Sequence, residues 1–106
     1  MNLSKIKEIY DSPPIESEIN IGGWVRAFRA KKFIELNDGS TIKNIQCVIV
    51  DGKIGQDILN EINVGCSLII TGILIKIDSP LLTGLNPRFE SIILFSISSI
   101  IDFSHG

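Results

Sequence analysis

A single change of period organises this chain. Along most of it apolar residues alternate with polar ones every second position, and once, in the middle, they recur at helical spacing. Ile19, Ile21 and Val25 alternate with Asn20, Trp24 and Arg26 over 18–28, where Gly22-Gly23 predicts a bend or bulge. Ile34 and Leu36 alternate with Phe33 and Glu35 over 33–37, and Ile45, Cys47 and Ile49 mark a third strand over 45–50. Between the first two lies the short connection Ala30-Lys31-Lys32. Between the second and third, Asn37-Asp38-Gly39-Ser40 is a turn by chemistry, since Asn, Asp and Gly tolerate positive φ. Then Ile54, Ile58, Leu59 and Ile62 fall on one helical face, with Gly65 as the expected C-cap. Period two resumes over 66–77 and again over 88–103, the latter interrupted near Ser98-Ser99 and preceded by a Pro- and Gly-bearing loop.

Five strands with one helix between the third and fourth predict a mostly β protein, a five-stranded OB-fold Greek-key barrel. Leu3, Ile6 and Ile9 add a short N-terminal amphipathic helix over 3–10, stopped by Pro13-Pro14. Residues 1–14 are thus an N-terminal helix and loop, 15–103 the barrel, and 104–106 a tail or the start of a linker. At 106 residues there is room for one domain. No stretch approaches the roughly 20 apolar residues that span a membrane, and the N-terminus lacks the apolar run of a signal peptide. The expected location is the cytoplasm, with Cys47 and Cys66 as reduced thiols in apolar strands.

Catalysis by this chain alone is not expected. The only histidine, His105, stands next to the last residue, the carboxylates are scattered, and no phosphate-cradling or CxxC motif occurs. A net charge of −2 gives no overall attraction to nucleic acid, so such a role must rest on a local patch. One is legible. With Ile34, Leu36, Ile45 and Cys47 committed to the core, strand parity turns Phe33, Glu35 and Gln46 outward. The same argument in the first strand turns Trp24, Arg26 and Phe28 outward, though aromatics at such positions more often pack beneath a helix or loop. Arg26, Arg29, Lys31 and Lys32 place four of the ten basic residues in one short stretch. Bases stack on aromatics and cations follow phosphates on such faces. On parity and charge alone, a Phe33 that closes the barrel end and a solvated lysine pair fit equally well.

Ile21-Gly22-Gly23-Trp24-Val25-Arg26, Phe33-Ile34-Glu35-Leu36-Asn37-Asp38-Gly39-Ser40 and Lys43-Asn44-Ile45-Gln46 resemble the N-terminal domain of asparaginyl-tRNA synthetases, in the class II group shared with the aspartyl and lysyl enzymes. The resemblance runs from about Ile15 to Asp102 and takes in Val64-Gly65, Thr71-Gly72 and Pro87-Arg88-Phe89-Glu90. It implies an anticodon-binding domain whose partner is tRNA, in particular the anticodon loop of tRNA-Asn, within a homodimeric parent enzyme and away from membranes. It implies that Phe33 stacks on the central anticodon base, a uridine, and that Gln46 contacts the same base. Arg29 matches the arginine that contacts the loop, where parity prefers Arg26, and both are retained. Glu90 matches the position near the third anticodon base, and Lys31 and Lys32 are the expected phosphate contacts. Between Arg29 and Phe33 the chain is a few residues shorter than the family pattern, so the hairpin is expected to be tighter. No class II ATP motif is present in the sequence. The segment is therefore expected to hold no cofactor, with ATP and Mg2+ confined to a catalytic domain elsewhere in the parent. Two alternatives accompany this reading: a free-standing OB protein that binds single strands without choosing a sequence, and a protein-interaction module using Trp24, Phe28 and Phe33 as an apolar patch.

Overall fold

The alternating strands close into a barrel. The computed structural model describes residues 3–50, 52–77 and 91–102. Their order is α1 (Ile6–Asp11), β1 (Glu18–Arg29), β2 (Phe33–Asn37), β3 (Ile45–Val48), α2 (Gln56–Glu61), β4 (Ser67–Ile77) and β5 (Ser91–Asp102). Around the barrel the strands run β1-β2-β3-β5-β4 and return to β1. Among the described residues only the β3–β5 pairing is parallel, through Gln46 with Ile93 and Cys47 with Leu94. This is the OB-fold arrangement that the single change of period predicts.

The inward row is the one parity selects. Ile21, Val25, Ile34, Leu36, Ile45, Cys47, Ile70 and Leu94 are fully buried, and Ile6 and Ile9 of α1 and Leu59 of α2 join the same core. Each such Ile or Leu stabilises the barrel by about 1.5–3 kcal/mol relative to exposure. Burial pushes the Cys47 thiol up to about 12, so it stays protonated and inert. Cys66 is partly buried against the core, and both cysteines are free.

Four local expectations are corrected. Helix α1 begins at Ile6, not Leu3, because its first amide finds its acceptor there. Lys5, at the N-cap, supplies no side-chain bond. Instead the Ile6 amide donates to Asp38 Oδ2 at 2.9 Å and the Lys7 amide to Ser40 Oγ at 3.0 Å. The β1 bulge falls between Val25 and Ala27 rather than at Gly22-Gly23, whose pairing with Ile69 and Leu68 of β4 is regular. Gly23 serves close approach: a Cβ there would strike the Asn37 carbonyl oxygen. Gly65 is not a helix cap. The helix ends at Glu61 with Ile62 extended, and Gly65, at φ +94°, sits in the turn closed by the Cys66 amide on the Asn63 carbonyl. β5 is continuous through Ser98-Ser99 and not interrupted there, but its ladder with β4 slips between Phe95 and Ser99, opposite Gly72, with Ser96 at φ +50°.

Candidate nucleic-acid interface

The bulge decides which side chains share the outer face of β1, β2 and β3. Val25 pairs with Leu36, and the next paired residue of β1 is Ala27, opposite Glu35. Arg26 is therefore the extra residue, and parity inverts beyond it. Phe28 now pairs with Ile34 and packs against the core, while Arg29 pairs with Phe33 on the outside. The expected outward position of Phe28 is thus overturned by one inserted residue. The same inversion puts Arg29, not Arg26, in the row with Phe33. Arg26 is exposed at the bulge, outside the paired row.

Across β2 the outward residues line up in two rows. Arg29 and Phe33 form one, continued by the buried Val48, and Ala27, Glu35 and Gln46 form the other. Phe33 is partly exposed, and Lys32 Nζ lies 5.9 Å from its ring centroid, at the outer reach of a cation–π contact. Arg29 donates from Nη2 to Glu35 Oε1 at 3.1 Å, bridging the two rows. The face thus offers an aromatic plate, a carboxamide that donates and accepts, and cations at one edge. Stacking and edge recognition of an unpaired base need that set.

The hairpin beneath Arg29 is tight, as its length requires. The Lys32 amide closes it on the Arg29 carbonyl at 3.0 Å, with Ala30 and Lys31 both at positive φ (+55° and +50°). Non-glycine residues adopt that conformation at a cost of about 1–2 kcal/mol each. The two lysines part there. Lys32 stays beside Phe33, whereas Lys31 Nζ donates to Asn60 Oδ1 of α2 at 2.8 Å, where Gln56 Nε2 also donates. Lys31 stands over an open cleft of about 600 Å³ floored by Ile49, Ile54 and Leu59. Glu90 lies outside the described residues.

Sequence reasoning missed what the Asn-Asp-Gly-Ser turn holds together. Asn37 is buried, its Nδ2 donating to the Thr41 and Lys43 carbonyls and to Asn44 Oδ1, and its Oδ1 accepting from the Gly39 amide. Asp38 accepts from the Ile6 amide and from both the amide and the hydroxyl of Ser40. Burial pushes its carboxyl up, and the hydrogen bonds from Ser40 and the Ile6 amide outweigh that, so it lies below the ordinary value. Tyr10 donates to the Asn44 carbonyl at 2.7 Å, and burial raises its hydroxyl, with Cys47 and Glu35 adding to the rise. The turn thus ties α1 to the barrel. Trp24, about a third exposed, has its ring against Gly39. With Phe28 turned inward, Trp24, Phe28 and Phe33 do not form one apolar patch.

No protein-family model matches the chain. Sequence relatives do. The chain is 41% identical over 75 residues to the asparagine–tRNA ligase of Lawsonia intracellularis, covering 68% of this chain and 16% of that protein. It is 39% identical over 79 residues to that of Azobacteroides pseudotrichonymphae, covering 72% and 17%. This stretch is related to the asparagine–tRNA ligases. It spans about one-sixth of the length of those ligases. Solved structures agree on the fold. The asparaginyl-tRNA synthetase of Pyrococcus horikoshii, complexed with asparaginyl-adenylate, matches with a TM-score of 0.71 at 14% identity, covering 98% of this chain and 23% of that one. The aspartyl-tRNA synthetase of Entamoeba histolytica matches with 0.72 at 21% identity, covering 98% and 21%. The OBody NL8, solved bound to hen egg-white lysozyme, matches with 0.62 at 15% identity over 82% of this chain and 93% of its own.

Among the described residues no three His, Cys, Asp or Glu side chains are grouped to hold a metal ion, and no helix is long and apolar enough to cross a membrane.

Proposed function

We propose that this domain reads the anticodon loop of tRNA-Asn for an asparagine–tRNA ligase. The supporting observation is the outward pairing of Arg29 with Phe33 beside the Glu35–Gln46 pair, an aromatic plate flanked by a carboxamide and cations on one barrel face. Phe33 takes the central uridine as a stacking platform, and Gln46 meets the edge of that base. Arg29 and Lys32 neutralise neighbouring phosphates. Arg26 and Lys31 stand on either side of this track, and Glu90 is assigned by resemblance alone to the third anticodon base. Phosphate contacts set the register and base contacts supply identity.

ATP and Mg2+ belong, on this reading, to a catalytic domain of the parent, which acts as a homodimer in the cytoplasm. Residues 15–103 form the reading domain and residues 1–14 its N-terminal brace. The decisive measurement is a titration of the chain with an anticodon stem-loop bearing a central uridine, against loops permuted in sequence. Preference for the uridine loop is expected. Equal affinity for every loop would overturn the reading in favour of an unselective single-strand binder.

A further inference from the structure

A glutamine by itself does not tell uridine from cytidine. Its carboxamide presents an acceptor beside a donor, and a half-turn about the last torsion exchanges them. One orientation matches the N3–H and O4 of uridine, and the other matches the N3 and N4 amine of cytidine. Whatever reads the base must also hold the amide. This question rests on the roles given to Phe33 and Gln46 above.

Glu35 stands directly opposite Gln46 across the β2–β3 ladder, on the same outward face. Directly opposed residues bring their Cβ atoms to about 4.5–5.5 Å, close enough for two long side chains to meet. The Glu35 carboxylate is itself held, since Oε1 accepts from Arg29 Nη2 at 3.1 Å. An ionised carboxylate only accepts hydrogen bonds, so it attracts the NH2 end of a facing amide and repels its oxygen.

The ion pair has little value to the fold. Its side chains are 62% and 33% exposed, and exposed pairs of this kind contribute little to stability. A carboxylate among groups that receive RNA also repels phosphate. A residue that stabilises little and opposes binding is explained by discrimination, which is built as much from repulsion as from attraction. We propose that Glu35 is a positioning residue: anchored by Arg29, it holds the Gln46 amide in one orientation and so sets the choice between uridine and cytidine at the base on Phe33.

The test uses the 106-residue chain and two anticodon stem-loops that differ only in the central base, uridine or cytidine. A correctly oriented pair of hydrogen bonds discriminates by about 1–3 kcal/mol, so the wild type should prefer uridine by about fivefold to a hundredfold. Glu35→Gln should bring that ratio to within about threefold of unity, because an amide imposes no orientation on its neighbour. Glu35→Ala should do the same, with both urea midpoints close to wild type, and Gln46→Ala should match the lost ratio. A wild-type ratio retained in Glu35→Gln and Glu35→Ala overturns the inference and leaves the anticodon reading standing. Equal weakening of both loops overturns it too, since Glu35 would then only hold Arg29. A wild type that binds the two loops equally overturns it outright, and if a permuted loop binds as well, the anticodon reading falls with it.

Discussion

Phe28 and Phe33 are both phenylalanines of the same hairpin, and one bulge residue gives them opposite roles. Phe33 pairs with Arg29 on the outer face, and Phe28 pairs with Ile34 and packs on the core. Loss of base–aromatic stacking costs about 1–3 kcal/mol, so Phe33→Ala should weaken the uridine stem-loop by about fivefold to more than a hundredfold. Its urea midpoint should move little. Phe28→Ala should show the reverse pattern, losing stability toward the 3–5 kcal/mol or so of a buried Phe→Ala change while sparing the ring under the base. Parallel titration and denaturation of both variants checks the assignment. If Phe33→Ala binds like wild type and unfolds easily, its ring belongs to the core.

At the level of elements, the turn between β2 and β3 links α1 to the barrel through polar atoms, and Asp38 is the central one. A lost N-cap costs about 1 kcal/mol, and up to about 2, so Asp38→Ala should destabilise the chain by that amount at neutral pH. The pH dependence has a definite sign. The Asp38 carboxyl is lowered from the ordinary 3.8 in the fold. Its contribution is therefore complete above that value and is lost as pH falls through the folded pKa, because the unfolded chain takes the proton first. Urea titrations at pH 7 and near pH 3 should show the gap between wild type and Asp38→Ala shrinking with acid. A gap that stays constant would mean that the carboxylate does not cap α1. The β1–β2 hairpin has a different economy, with Ala30 and Lys31 at positive φ to close a loop only three residues long between the Arg29–Phe33 pair. The turn leaves Arg29 paired with Phe33.

For the whole molecule the electrostatics are local. The chain carries a net charge of −2, and the cations of the proposed reading face are Arg29, beside Glu35, and Lys32, beside Phe33, with Arg26 and Lys31 on the same hairpin. Two to four phosphate contacts at about −0.7 each predict a slope of log K against log salt of about −1.5 to −3. Stem-loop titrations between low and physiological salt measure it directly. A slope of zero would remove the cationic track, and one much steeper would require cations outside this face.

The alternation of apolar residues, the lone helical stretch and the turn chemistry were enough to set the barrel, the order of its elements and the buried row of its first three strands. These are properties of period and local conformation, which a linear sequence carries openly. The Phe33–Gln46 face was legible for the same reason, since parity within an uninterrupted strand does not depend on the rest of the chain. Three matters were decided only in three dimensions. Bulge position depends on which backbone groups find partners across β1 and β2, and it put Arg29 rather than Arg26 beside Phe33 and turned Phe28 inward. The start of α1 depends on a carboxylate thirty-two residues away, Asp38, reaching the Ile6 amide. The Arg29–Glu35 ion pair and the Glu35–Gln46 register together span three strands, so no spacing along the chain announces them. Side chains that meet through a ladder register are invisible until the register exists, because one residue of slip exchanges the two faces of a strand.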